Sequence, residues 1–385
     1  MQRVRMGMVG GGEGAFIGAV HRMAAALDGD VELVCGAFSA DAERSLRSGL
    51  ALGLNAERCY PDYGSMMRTE AALSAAERMQ FVVIVTPNAT HYPVAEAALE
   101  AGFHVLSDKP ATLNLAEALR LRELVQRTER LYGLTHTYTG YPLVKEARRR
   151  VTSGDLGRLR KINVEYTQGW LSDRQEEADN KQAAWRLDPS QAGPSSCMGD
   201  IGVHAANLAE YVSGCRITAL CADLTSFVEG RELDDDGSIL LRFDNHARGV
   251  LQASQISAGE ENALRICVYG ERGGLEWAQQ EPNSLVLKWA DRPREVLRAG
   301  ADYLGALARA NTRTPMGHPE GYIEAFANVY QAFVGQIRAL ETGTVIDARS
   351  TDLPGIQEAV RGMTFIELAV ASSASEVKWH RFEQL

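Results

Sequence analysis

The chain has 385 residues, which at ~100–200 residues per domain fits two domains better than one or three. Hydrophobic residues make up 45% and charged residues 23%, values of a globular protein with ample core, so disordered and fibrous folds are excluded. The formal charge of 40 − 50 = −10 argues against a nucleic-acid surface, and the absence of any run of about 18 apolar residues predicts no membrane span.

The first third alternates between strand-like and helix-like segments. Residues 4–9 form a short apolar run ending in glycines, 16–27 have helical spacing, 31–38 read as a strand and 41–52 as a helix. Residues 81–85 (FVVIV) are continuously apolar, as expected of a parallel strand covered on both faces. Helix 92–101, strand 104–106, helix 113–130 and strand 131–135 follow. Repeated β-then-α units with short turns predict a doubly wound, mostly parallel sheet.

After about residue 140 the rhythm changes. One helix is expected over 143–151, then strands over 161–168, 217–228, 239–243, 249–256, 264–269 and 285–289. Several alternate apolar with polar residues, which predicts an antiparallel sheet with one covered and one open face. An open face of that size is expected to pack on another subunit, giving a homodimer or homotetramer. Helices over 321–340 and 356–371 close the chain. The domains are therefore placed at 1–137 and 138–385, with the last helices free to pack back on the first.

The six cysteines (Cys35, Cys59, Cys197, Cys215, Cys221, Cys267) show no CxxC pair and no metal-type spacing with histidine. Apart from Cys197, which three residues before Asp200 could line a pocket but has no identifiable base as a nucleophile, they read as reduced core thiols of a cytoplasmic protein, and no metal site is expected. The start of the chain, where Arg3 and Arg5 are followed by a brief apolar stretch and glycines, does not read as a signal peptide.

Chemistry first appears in the loop Gly10-Gly11-Gly12-Glu13-Gly14-Ala15-Phe16-Ile17-Gly18. A strand, a glycine loop and a helix form the setting for a dinucleotide pyrophosphate, cradled by close-approaching backbone and by the free N–H groups of the helix start. The spacing departs from GxGxxG, because Gly18 arrives three residues late after Gly10 and Gly12. The expected carboxylate at the end of the second strand is replaced by Ser39, with Arg44 one turn on, which leans toward NADP over NAD.

Three further segments recur in order: Thr86-Pro87-Asn88-Ala89-Thr90-His91, Ser107-Asp108-Lys109-Pro110 and Gly199-Asp200-Ile201-Gly202-Val203-His204. With the glycine loop, they resemble the Gfo/Idh/MocA family of NAD(P)-dependent oxidoreductases, which includes inositol dehydrogenase and glucose–fructose oxidoreductase. The resemblance extends over the chain, including Trp185-Arg186 and residues 317–330. It implies an α/β chain with an N-terminal Rossmann domain, then an α/β domain with a large open, mainly antiparallel sheet. Lys109 matches the lysine of the family's E-K-P motif, with Asp108 in place of the glutamate. Asp200 and His204 match its DxGxH. The family's aspartate three residues after that histidine is Asn207 here, and its glycine run before the motif reads Ala192-Gly193-Pro194-Ser195-Ser196.

These residues suit oxidation of a secondary alcohol. His204 is the expected acid/base, since its imidazole titrates near neutrality. Asp200 lies four residues before it and, on a helix beginning near Asp200, shares its face. Lys109, following a strand of the first sheet, brings a positive charge that favours a developing alkoxide. Gly10, Gly12, Phe16, Ile17, Gly18, Ser39, Arg44, Thr86, Pro87, Asn88, His91, Asp108 and Lys109 are assigned to NAD(P). His91 reads equally well as the cap of the helix after it, and whether Pro110 is cis is left open. Tyr138, Tyr141, Trp185, Arg186 and His318, with Lys109, Asp200 and His204, are assigned to a sugar, inositol or polyol substrate, although core packing explains the aromatics as well. Two other readings remain: a glycosidase acting by transient oxidation, and a non-catalytic nucleotide sensor.

Overall fold

The computed structural model describes residues 2–177 and 180–382. The chain divides into two compact units, Met1–His136 with Phe326–Val360, and Thr137–Ala325 with Arg361–Leu385. A later segment of the chain, Phe326–Val360, thus belongs to the first unit.

The first unit runs β1 (Val4–Gly10), α1 (Phe16–Leu27), β2 (Val31–Ala37), α2 (Ala42–Ala51), α3 (Tyr63–Ala72), β3 (Phe81–Val85), α4 (His91–Glu100), β4 (His104–Ser107), α5 (Leu115–Thr128) and β5 (Tyr132–Leu134). Its strands pair in parallel in the order β2-β1-β3-β4-β5. The FVVIV strand lies third of five and is buried along its whole length, which is why it carries no polar alternation. Chain order reverses between β1 and β3, so the ligand crevice of such a sheet lies past the carboxyl ends of these two strands. Helix α3 is absent from the sequence-based elements. One of its inward residues is Glu70, fully buried, whose carboxylate accepts from Arg58 and from the Tyr60 hydroxyl at 2.8 Å. A buried carboxylate on the core face interrupts the apolar stripe by which a helix is recognised.

The second unit holds α6 (Pro142–Thr152), β6 (Leu159–Thr167), α7 (Lys181–Arg186), α8 (Pro189–Ala192), a π-helical turn (Met198–Gly202) and α9 (Val203–Ser213). Strands β7 (Ile217–Thr225), β8 (Asp236–Phe243), β9 (Arg248–Ser254), β10 (Ala263–Gly270), β11 (Gly273–Ala278), β12 (Ser284–Trp289) and β13 (Glu295–Arg298) follow. Helix α10 (Ala306–Ala310) comes next; most of α11 (Tyr322–Thr342) and all of α12 (Ala348–Thr351) belong to the first unit, and the chain returns to the second within α13 (Ile356–Ser373) and ends on β14 (His380–Arg381). The sheet is β13-β12-β11-β10-β6-β9-β8-β7-β14, antiparallel except for the β6–β9 pair. Strand β8 alternates buried Ile239, Leu241 and Phe243 with outward Leu240, 46% exposed. One face is therefore covered, by α6 and α9 among others, and the other carries apolar side chains in the open. Strands β11, β13 and β14 are missing from the sequence-based elements. The first opens on two glycines, the second is mostly exposed and the third has two residues.

Candidate active site

The glycine loop is built for close approach. Gly10 and Gly11 hold φ of +83° and +70°. A Cβ on Gly18 would lie 2.3 Å from the Gly11 Cα, so helix α1 rests directly on the loop. Gly18 thus fills the packing role of the third fingerprint glycine despite its late position. The extra residues form a turn in which Ala15 N–H donates to the Gly12 carbonyl at 3.0 Å, and Glu13 N–H donates to the Ser48 hydroxyl on α2 at 3.1 Å. Helices α2, α3 and α5 are capped by Asp41, Asp62 and Asn114, whereas α1 has no side-chain cap and no acidic residue in its first turn. Its open N–H groups and positive dipole end fit a pyrophosphate. Beside the loop lies a cavity of about 690 Å³ to which Phe16, Arg22 and Arg47 contribute.

At the end of β2, the Asp41 carboxylate accepts the Arg44 N–H at 2.7 Å, so it serves as the cap of α2. The Ser39 hydroxyl accepts from Asp41 N–H at 3.1 Å, and Arg44 is exposed. After β3, the Thr86 hydroxyl is buried with no protein partner, an orphan that suits a bound ligand. Pro87 and the buried Asn88 complete this turn. His91 opens α4 but faces inward: its Nδ1 lies 2.7 Å from the Pro110 carbonyl and its Nε2 2.8 Å from the Thr86 carbonyl. It lies between the turns after β3 and β4, where the neutral ring donates to one of the two carbonyls, and burial pushes its pKa down. The uncapped helix, the glycine cradle and the Thr86 orphan together fit a dinucleotide.

Past β4, Asp108 Oδ1 accepts from Lys109 N–H at 2.8 Å and from the Thr135 hydroxyl at 3.0 Å. The Lys109–Pro110 bond is cis, and Lys109 is half-buried. His136, fully buried past β5, is driven to about 3 by burial and by the Lys109 charge, so it is neutral at neutral pH. His136 and Thr135 were not singled out from sequence; the available signal was their position directly after a strand end.

The second unit brings Asp200, His204, Arg186, Tyr138 and Tyr141 into one neighbourhood. Asp200 lies on the π-helical turn and His204 at the start of α9, so the α-helix begins three residues later than the sequence predicts. Such turns occur disproportionately at functional sites. The turn is anchored by Asp234, whose oxygens accept from Ser196 N–H at 3.0 Å and Met198 N–H at 2.8 Å. Asp200 Oδ2 accepts from Arg186 Nε at 3.1 Å and from Gln255 Nε2 at 2.9 Å. The Arg186 guanidinium stacks over Trp185 at 4.2 Å and approaches Trp170 at 5.9 Å. The His204 ring meets the edge of Tyr138 at 5.1 Å, with Tyr166 at 6.4 Å. A polar chain continues from Tyr138 through the Tyr166 hydroxyl to Asn262 at 2.8 Å, Gln168 at 2.7 Å and Trp170 at 2.9 Å. Gln255, Tyr166, Asn262 and Asp234 went unnoticed in the sequence because no short motif surrounds them. Tyr141 stacks parallel to Tyr138 at 6.4 Å. His318 stands on an exposed turn, its ring nitrogen 3.3 Å from the Pro315 carbonyl. Cys197 is buried, and burial with Asp234 and Asp200 nearby keeps its thiol protonated. Among the described residues all six cysteines are free, no group of three or more metal-type ligands gathers, and no helix is long and apolar enough to cross a membrane.

A parallel sheet with a glycine cradle, followed by a unit built on a large mixed sheet, defines an NAD-binding oxidoreductase of the α/β class. Residues 4–136 match the oxidoreductase family with NAD-binding Rossmann fold, and residues 144–276 match the GFO/IDH/MocA C-terminal domain. The chain is 33% identical over 383 residues to an uncharacterized oxidoreductase of Bacillus subtilis, covering 99% of this chain and 97% of that protein. An inositol dehydrogenase homologue of Azotobacter vinelandii, solved with NAD+, superposes with a TM-score of 0.94 at 37% identity, covering 99% and 98% of the two chains. The same homologue solved with NADH and myo-inositol gives a TM-score of 0.92 at 36% identity, with the same coverage. The chain belongs to the GFO/IDH/MocA family of oxidoreductases and is an enzyme of the sugar- and polyol-dehydrogenase type.

Proposed function

We propose that the enzyme moves a hydride between NAD(P) and a secondary alcohol of a sugar, inositol or related polyol, with His204 as acid/base. The observation that carries this reading is the Asp200 carboxylate, held by Arg186 and Gln255 on the turn that leads into His204. The His204 imidazole takes the hydroxyl proton on oxidation and returns it on reduction. Asp200 orients the substrate hydroxyl and the ring. Lys109, by the family's pattern, is the partner whose ammonium favours the alkoxide. The nucleotide, when bound, supplies the hydride acceptor; Gly10, Gly12, Phe16, Ile17, Gly18, Ser39, Arg44, Thr86, Pro87, Asn88, His91, Asp108 and Lys109 are proposed to hold it or shape its site. The missing carboxylate at Ser39 supports a lean to NADP. Tyr138, Tyr141, Trp185, Arg186 and His318 are proposed to line the substrate side.

A polyol suits a site rich in aromatic faces beside hydrogen-bonding groups, and the myo-inositol complex of the Azotobacter homologue supports that class. The open sheet face, where Leu240 and Val296 are exposed, supports assembly into a homodimer or homotetramer, and six unpaired thiols support a cytoplasmic setting. The test is reduction of NAD and NADP against sugars, inositols and anhydrosugars at alkaline pH. His204→Ala should retain nucleotide binding and lose about 10²–10⁴ in turnover. Unchanged turnover removes His204 from the mechanism.

A further inference from the structure

We infer that Gln255 is a positioning residue for Asp200, serving the carboxylate and not the fold. The inference rests on the dehydrogenase reading above. Gln255 follows β9 directly, and its side chain is completely buried. Its backbone is fully used: N–H donates to the Asp235 carbonyl at 2.9 Å, and its carbonyl accepts from Leu171 N–H at 3.0 Å. Those bonds fix the position of the chain and would survive any side chain.

The amide itself makes one bond, Nε2 to Asp200 Oδ2 at 2.9 Å. A carboxylate accepts and cannot donate, so this contact dictates which end of the amide faces Asp200. The other end, Oε1, is then turned into the protein, where it is buried with no donor. An unpaired buried acceptor is unfavourable, and an apolar side chain of the same length would remove it. A buried amide whose one satisfied end points at the site carboxylate, and whose other end is left unsatisfied, is arranged for that carboxylate.

The geometry specifies what Gln255 does. Arg186 approaches the same oxygen, Oδ2, at 3.1 Å from α7. Two donors from separate segments converge on one oxygen and pin it in place. Arg186 is only part-buried and is shared with Gln182, whereas Gln255 is rigidly enclosed. Gln255 is thus the fixed member of the clamp, and Arg186 the adjustable one.

The test compares Gln255→Met and Gln255→Glu with the wild type in the full chain, using the best polyol found in the NAD(P) screen. Gln255→Met keeps length, removes the donor and removes the orphan. It should leave Tm within about 2 °C of wild type, because a lost bond and a removed orphan offset one another. Its kcat should fall about 10–10²-fold, as expected of a misplaced reacting group, with KM for the nucleotide unchanged. Gln255→Glu keeps shape but sets a second acceptor against Asp200, and should lose more activity than Gln255→Met. A packing role predicts the reverse: a clear Tm loss in Gln255→Met, and activity per folded molecule kept in both variants. That result overturns the inference, as does an equal loss in the two variants. A wild type that oxidises no polyol with either nucleotide overturns the dehydrogenase reading and this inference with it. Turnover in the wild type with unchanged kcat in Gln255→Met overturns the inference alone.

Discussion

Asp234→Asn tests whether the Asp–His pair is held from outside its own segment. In the wild type, one Asp234 oxygen accepts Ser196 N–H at 3.0 Å and the other accepts Met198 N–H at 2.8 Å. The Ser195 hydroxyl also bonds this carboxylate and accepts Gly199 N–H at 3.0 Å. An asparagine supplies one acceptor oxygen, so its NH₂ group must face one of the two N–H groups. One buried N–H loses its partner, a penalty of about 1–3 kcal/mol. Burial opposes this, since it raises the Asp234 pKa above the usual carboxylate range and so makes the ionised form unfavourable in the folded chain. Removing the charge returns part of the penalty, leaving a net loss of at most about 2 kcal/mol. Ionising Asp234 lowers stability as pH rises from the unfolded to the folded pKa, and the variant should lose that dependence. The functional effect should be larger than the stability effect. Asp200 N–H is bonded to the Ser196 carbonyl at 2.7 Å, so a turn that slides to relieve the clash carries Asp200 with it. A shift near 1 Å costs about 10²-fold in rate. Urea titration and steady-state kinetics read the two effects separately, and nucleotide affinity, belonging to the other unit, should not change. A kcat within twofold of wild type, or nucleotide affinity falling in step with kcat, would refute the reasoning.

Gly18→Ala places a Cβ 2.3 Å from the Gly11 Cα and 2.7 Å from its carbonyl oxygen, both backbone atoms that cannot swing aside. It should cost about 1–3 kcal/mol and weaken NADH binding about tenfold or more, measured by fluorescence titration; unchanged affinity would mean that the loop does not cradle the nucleotide. Ser39→Asp should move preference toward NAD by about tenfold in the ratio of kcat/KM values, because a carboxylate accepts a ribose hydroxyl and repels a phosphate; an unmoved ratio places discrimination elsewhere. His21 and His104 are each lowered to about 4, by burial first, and His136 to about 3. A histidine depressed in the folded state binds protons less tightly there than when unfolded. The first unit should therefore lose stability as pH falls below about 6.5, by up to about 3 kcal/mol for each of the first two by pH 4. His104→Asn should reduce the slope of the unfolding free energy against pH, read from urea titrations between about pH 4 and 6.5, by about one proton, and an unchanged slope would rule out its burial in the neutral form.

Legibility in the sequence followed physical locality. The parallel sheet was readable because each of its strands is a short apolar run beside a helix of clean period, and the functional turns follow strand ends. Lys109, Asp108 and Thr86 combined that position with short motifs, whereas Thr135 and His136, also past a strand end, had no motif and were missed. Helix α3 was not, because Glu70 occupies a core position. The start of α9 was misplaced because a π-helical turn has no distinct composition, so Asp200 was expected on the α-helix that begins at Val203. Asp234 and Gln255 are 34 and 55 residues beyond Asp200 in the chain, and only the crossing of strands brings them beside it. Local patterns do not record such pairings.

The two halves of the proposed chemistry are held by different means, and this bears on how each tolerates change. Lys109 is placed by a strand end whose neighbours are backbone-bonded into a parallel sheet, with Asp108 and Thr135 fixing the loop at its root. The sheet would survive loss of any one of those side-chain bonds. Asp200 sits instead on an irregular turn whose position depends on buried polar side chains: Asp234 beneath it, and Arg186 and Gln255 at its carboxylate. Each of those groups is charged, unsatisfied at one end or only partly shielded, so none is an efficient contributor to stability. A carboxylate whose turn is anchored by Asp234 and whose oxygen is held by Gln255 and Arg186 needs little reorganisation when a hydroxyl arrives. Substitutions near Lys109 should therefore act mainly on binding and charge, whereas substitutions around Asp200 should act on kcat with little change in Tm.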